Sequence, residues 1–96
     1  MFIYVCAYVH FRGDETAKIG ITKNPEKRFK QLRWGYGPVY PVKYYQMKSR
    51  EAAISLETFI CRSFNSVYKR EWLDISPADL CAFVEKNLAI FNGYES

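Results

Sequence analysis

Every position from Phe2 to Val9 is apolar or aromatic. In an extended chain Phe2, Tyr4, Cys6 and Tyr8 face one way, and Ile3, Val5, Ala7 and Val9 the other. A strand with two such faces belongs at the centre of a sheet, covered on both sides. Gly13-Asp14 is a turn signal, and Ala17 to Thr22 reads as the return strand of a hairpin, with Ala17, Ile19 and Ile21 alternating with Lys18, Gly20 and Thr22. Asn24-Pro25-Glu26 is a helix start: Asn as cap, Pro at the first helical position, an acid in the first turn. That helix should run to about Arg33 or Trp34 and stop at Gly35-Tyr36-Gly37-Pro38.

Val39 to Met47 alternates loosely and predicts a third strand. Ser49 caps a second helix that runs to about Phe64, and Trp72-Leu73-Asp74-Ile75 predicts a short extended piece. Ser76-Pro77-Ala78-Asp79 has the form of a capping box, and the third helix it opens ends near Phe91, before Asn92-Gly93. The expected order is ββαβαα with room for one short extra strand. This is an α+β fold: a small three-stranded antiparallel sheet flanked by three helices in a single domain spanning residues 1–96.

Composition narrows the chemistry. The 96 residues are 49% hydrophobic and 18% aromatic, enough for one core. Fourteen Lys and Arg against ten Asp and Glu give +4, a balance that favours an acidic polymer as partner without demanding one. Cys6, Cys61 and Cys81 are odd in number, widely spaced and set among apolar residues, so buried free thiols are expected rather than a disulfide or zinc framework. His10 is the only histidine, which excludes zinc-hydrolase motifs and any Ser-His or Cys-His nucleophile. No apolar run approaches the ~20 residues of a membrane span. The N-terminus has no signal-peptide pattern, so a cytoplasmic location is expected.

Candidate chemistry sits on the hairpin and the first two helices. Glu57 falls within the apolar stripe of Ala53, Leu56, Ile60 and Phe64. A carboxylate there needs a cation: either a salt bridge to an arginine, or a metal, with general base as a further role. Arg28 flanks the stripe of Pro25, Phe29 and Leu32, where its planar fork suits phosphate oxygens or an ion pair with Glu57. Lys27, Lys30 and Arg33 form a basic face, equally fit for phosphate contact and for solvent. Gly20 inside a strand marks the close approach of a backbone or ligand, and Lys18 shares its face, with an ordinary exposed edge lysine as the plainer alternative. Tyr4 is either a strand residue or a proton-transfer phenol. Trp34, Tyr36 and Tyr40 are expected to close the helix end and pack on the sheet, with stacking on unpaired bases as the alternative.

In order and spacing these residues resemble the GIY-YIG nuclease superfamily, in its small phage and bacterial branch whose second motif reads K-I-G. Phe2-Ile3-Tyr4 stands at the first motif and Lys18-Ile19-Gly20 at the second, followed by Thr22, Arg28 and Leu32. Ala52-Ala53, Leu56-Glu57 and Phe64 match the helix with the metal-binding glutamate, and Arg70-Glu71-Trp72-Leu73 the segment before the last helix. The resemblance implies a metal-dependent endonuclease that cuts or nicks DNA, with RNA as the second possible substrate. Tyr4, Lys18, Arg28 and Glu57 would be its catalytic set, and Glu57 would hold one Mg²⁺ or Mn²⁺. Gly20, Lys27, Lys30, Arg33, Lys69 and Arg70 would meet the nucleic acid. Lys18 replaces the second tyrosine, Phe2 replaces the first glycine, and Cys61 stands where the branch often has His. Asn87 and Asn92 are the candidates for a C-terminal asparagine. A binding module that kept the fold without the chemistry is the alternative. A homodimer is compatible with either.

Overall fold

Strand β1, Phe2–Val9, sits inside the sheet and is buried on both faces, as its unbroken apolar run requires. The computed structural model describes residues 1–9, 13, 15–36, 39–64, 66–68 and 72–92, without the side chains of 33–36 and 66–68. Strand β2, Glu15–Thr22, returns antiparallel along β1 in one unbroken register from Val9↔Glu15 to Phe2↔Thr22. Gly13, in the connection, has φ +91°, a left-handed conformation that glycine adopts without steric cost.

Helix α1, Pro25–Tyr36, starts where Asn24 Oδ1 accepts the Lys27 N–H at 3.1 Å. It passes the expected stop and includes Gly35, which a helix tolerates at about 1 kcal/mol relative to alanine. Strand β3, Val39–Gln46, lies on the other side of β1 and forms one edge of the sheet. Val42 is an extra residue there: Val5 faces Lys43 and Cys6 faces Pro41. The edge position is also why Pro41 is tolerated in a strand.

Helix α2, Arg50–Ser63, is capped by Ser49 Oγ, which accepts the Ala52 N–H at 3.1 Å. Two short strands, β4 (Ser66–Tyr68) and β5 (Trp72–Leu73), precede helix α3, Pro77–Asn92. Ser76 Oγ accepts the Asp79 N–H at 3.2 Å and so caps α3. The sequence pattern predicts three strands with room for a short extra one; among the described residues the sheet has five, all antiparallel, in the order β3-β1-β2-β5-β4. Strand β5 falls on the extended piece expected at Trp72–Ile75, and β4, with three residues, is too short for a period-two pattern to register.

The sheet separates two cores. Under α2 and α3, Ile3, Val5, Ala17 and Ile19 meet Leu56, Ile60, Leu80 and Val84. Under α1, Tyr4 and Cys6 meet Leu32, Val39 and Trp72. Among the described residues no helix is long and apolar enough to cross a membrane.

Candidate active site on the α1 face

The candidate residues of the hairpin are paired by its register. Tyr4 lies opposite Gly20 and Cys6 opposite Lys18, all on the face that α1 covers. Gly20 is explained by its neighbour: a Cβ there would fall 2.5 Å from Tyr4 Cζ and collide with the hydroxyl. The close approach expected at this glycine is therefore Tyr4 itself, lying across β2.

Arg28, on the first turns of α1, donates from Nε to the Tyr4 hydroxyl at 3.1 Å. Its Nη1 donates to Gln31 Oε1, one turn along the helix, at 3.4 Å. The Tyr4 ring packs edge-on against Phe29, with centroids 5.7 Å apart. Tyr4 is only 2% exposed, and burial raises its pKa above the ordinary phenol value, with the Arg28 hydrogen bond and charge acting against that rise. The side chain is therefore a neutral phenol at physiological pH.

Lys18 departs from the exposed edge lysine that alternation implies. It is 7% exposed, on a strand paired on both sides, with Nζ 6.0 Å from the centre of the Trp72 ring. Cys6, opposite it, has its thiol pushed up to about 12 by burial, opposed by the charges of Lys18 and Arg28. That thiol is inert at neutral pH.

Glu57 comes from the other layer. It sits on the shoulder of the α2 stripe, half-buried, while Ala53, Leu56 and Ile60 are fully buried. Burial pushes its carboxyl above the usual carboxylate range, and the positive charge of Lys18 opposes the rise. The Glu57 charge is the smallest of the causes that act on the Tyr4 phenol, and it adds to the rise. Arg28 and Glu57 form no ion pair; the hydrogen-bond partners of the guanidinium include Tyr4 and Gln31 instead. Among the described residues no cation lies within ion-pairing distance of the Glu57 carboxylate. No three His, Cys, Asp or Glu side chains converge among them either, so they offer no all-protein metal cage. A single half-buried carboxylate fits instead an ion such as Mg²⁺, which keeps its waters and completes its shell with substrate phosphate.

Lys27 and Lys30 are exposed on α1. Arg33 lies on the same helix, but its side chain is outside the described residues, as are those of Trp34 and Tyr36. Lys69 and Arg70 also lie outside the described residues. Tyr40 is exposed rather than packed on the sheet. Cys61 is exposed one turn after Glu57, whereas Cys6 and Cys81 are buried; all three are free thiols. Asn87 Nδ2 donates to Phe83 O at 2.8 Å, and Asn92 Oδ1 accepts the Lys48 N–H at 2.7 Å, so both side chains serve the backbone.

Three participants were not legible in the sequence. Gln31 steadies Arg28 at an i,i+3 spacing that is common on any helix. Trp72 lies beside Lys18 because β5 pairs with β2. Tyr44 is the register partner of Tyr4 on β3.

No curated protein and no solved structure shows significant similarity to this chain. The model of one family, the T5orf172 domain, matches residues 1–88. The match runs from the first strand to the last helix and includes the whole Tyr4, Lys18, Arg28 and Glu57 set. The chain therefore belongs to the T5orf172 domain family, a nuclease-like family of the GIY-YIG-related kind.

Proposed function

We propose that this domain is a divalent-metal-dependent endonuclease that cuts or nicks DNA. The observation that carries the reading is the Arg28 Nε to Tyr4 hydroxyl contact of 3.1 Å, made over Gly20. In this reading Arg28 presents its guanidinium to phosphate oxygens and to the charge that grows on them. Tyr4, a neutral phenol, donates a hydrogen bond or proton to an oxygen of the reacting phosphate; it is the wrong form to abstract one. Lys18 supplies fixed positive charge where a second phenol would stand. Glu57 would hold Mg²⁺ or Mn²⁺, which when bound polarises the phosphate and stabilises the leaving oxygen. Lys27, Lys30, Arg33, Lys69 and Arg70 would track the backbone of the strand, and Gly20 would contribute by leaving room for the Tyr4 hydroxyl.

Purified protein with Mg²⁺ or Mn²⁺ should convert supercoiled plasmid to nicked or linear product. Glu57→Ala should abolish the conversion with its circular dichroism spectrum unchanged. Arg28→Ala should slow it by about 10²-fold or more, as expected when a donor to developing charge is lost. Cutting that persists in Glu57→Ala, or in excess chelator, would exclude the role given to Glu57.

The burial of Tyr4 and Lys18 favours a second reading, a binding module without chemistry. It predicts salt-sensitive DNA binding and no metal-dependent product in the same plasmid assay.

A further inference from the structure

Beside the Arg28–Tyr4 contact lies an open groove of about 470 Å³ lined by Phe29, Pro41, Val42, Lys43 and Tyr44. That volume is within the roughly 300–1,000 Å³ of small-ligand sites. Its floor is the β3 edge, and its aromatic wall continues the candidate site. Tyr4 packs edge-on against Phe29, Phe29 meets Tyr44 with centroids 6.3 Å apart, and Phe2 meets Tyr44 edge-on at 5.6 Å. Tyr44 is the Cα partner of Tyr4 across the β1–β3 ladder, so the two side chains share a face about 5 Å apart along the sheet. They differ in exposure: Tyr4 is 2% exposed and Tyr44 is 46% exposed. An aromatic ring held on two sides by other rings and open on the rest is a stacking platform, not a core residue.

The residues beside the groove select its occupant. Lys43 is the register partner of Val5, and its ammonium pairs with Glu85 of α3 at 3.1 Å, so its charge lies on the other face of the sheet from Tyr44. On α1, Arg28 is next to Phe29 in the chain, and Lys27 and Lys30 are exposed on the same helix. An apolar face whose Phe29 wall packs on Tyr4, itself bonded to Arg28, fits a nucleobase whose own phosphate lies at Arg28. We infer that the Tyr44–Phe29 groove takes a base unstacked from the DNA strand whose phosphate lies at Arg28. The substrate class is then DNA with an unpaired or extrudable nucleotide beside the scissile phosphate, rather than uniform duplex. The inference rests on the reading of the Arg28 face as a phosphate site.

The test is a binding measurement in chelator, so that cleavage plays no part. The probes are a perfect DNA duplex and the same duplex with one bulged fluorescent adenine analogue. The wild-type protein should prefer the bulged duplex and change the fluorescence of the analogue. Tyr44→Ala, at an exposed position, should fold normally and lose roughly 5- to 100-fold in affinity for the bulged probe, as expected for one base–aromatic stack. Tyr44→Phe should retain it. Unchanged affinity in Tyr44→Ala while Arg28→Ala weakens both probes would overturn the groove and leave the phosphate reading standing. Unchanged affinity in Arg28→Ala would overturn the phosphate reading itself. Tighter binding of the same bulge in RNA would overturn the assignment to a DNA strand.

Discussion

Ile3, Val5, Ala17 and Ile19 bury hydrocarbon under α2 and α3, whereas Tyr4, Cys6 and Lys18, one residue out of phase on the same strands, bury a phenol, a thiol and an ammonium under α1. The two faces are similarly closed to water but are held differently. Hydrocarbon burial on the first face is non-directional and stabilises in proportion to area. Polar burial on the second face is tolerable only with partners, because an unsatisfied buried polar group costs roughly 1–3 kcal/mol. The partners are present: Arg28 donates to Tyr4, Trp72 lies beside Lys18, and no buried side-chain donor or acceptor is left without one among the described residues. One face of the sheet is therefore replaceable hydrophobic packing, and the other is a specified arrangement of polar groups.

Two buried leucines give the strongest test of that difference. Leu80 lies on the hydrocarbon face and Leu32 on the α1 face, and both are closed to solvent. Truncation of either to alanine should cost roughly 2–5 kcal/mol in urea unfolding. The functional outcomes should diverge. Leu32 is one turn beyond Arg28 and packs in the same core as Tyr4, so Leu32→Ala should reduce DNA binding or cleavage beyond its loss of folded protein. Leu80→Ala should reduce it only in proportion. Equal functional losses at matched stability would remove the distinction between the faces.

Gly20→Ala is expected to have a smaller effect with a sharper interpretation. The new methyl would enter the space of the Tyr4 ring, which Phe29 and the α1 core hold in place. Overpacking of this kind costs roughly 1–3 kcal/mol. In a Tyr4→Ala background the same substitution should be close to neutral, and a double-mutant cycle by urea denaturation measures the difference. An equal cost in both backgrounds would show that Gly20 is required for its backbone and not for the ring above it.

The parts of the fold visible in the sequence were those with a repeating signal. The two-sided apolar run of β1 signals an interior strand, and Asn24, Ser49 and Ser76 mark three helix starts that the structure retains. Strand β5 falls on the short extended piece expected at Trp72–Ile75, whereas β4 has no such signal and is defined by pairing alone. In the candidate site, residue identities were legible and environments were not. Lys18 alternates with Ala17 and Ile19 like a residue on a solvent face, yet that face carries α1 and Trp72. An ion pair between Arg28 and Glu57 is the plainer alternative that the sequence leaves open, but Arg28 lies under one face of the sheet while α2 packs on the other. Tyr44 was one of eight tyrosines until strand register placed it opposite Tyr4.

Glu57, half-buried on α2, gives the smallest expected effect and a pH dependence of definite sign. Its carboxyl is raised by burial, so in metal-free protein the folded state holds the Glu57 proton more tightly than the unfolded state. Stability should then be highest with the group protonated. It should fall as pH rises from the unfolded value of about 4.3 through the raised folded value, and level off above it. Lys18, which opposes the shift, Cys61, one turn away on α2, and Tyr4 are titratable groups that share its field. Glu57→Gln removes the ionisation, so its melting temperature should match wild type in acid and exceed it modestly at neutral pH. Partial exposure keeps the gain to about 1 kcal/mol or less. Mg²⁺ should reverse the order: an ion bound to the carboxylate favours its charged form and the folded state together. Wild type should therefore gain melting temperature with Mg²⁺ at neutral pH while Glu57→Gln does not. A wild-type curve parallel to Glu57→Gln across the whole acid-to-neutral range would mean that Glu57 is hydrated like any surface carboxylate. Its half-buried place on α2 would then carry no electrostatic consequence.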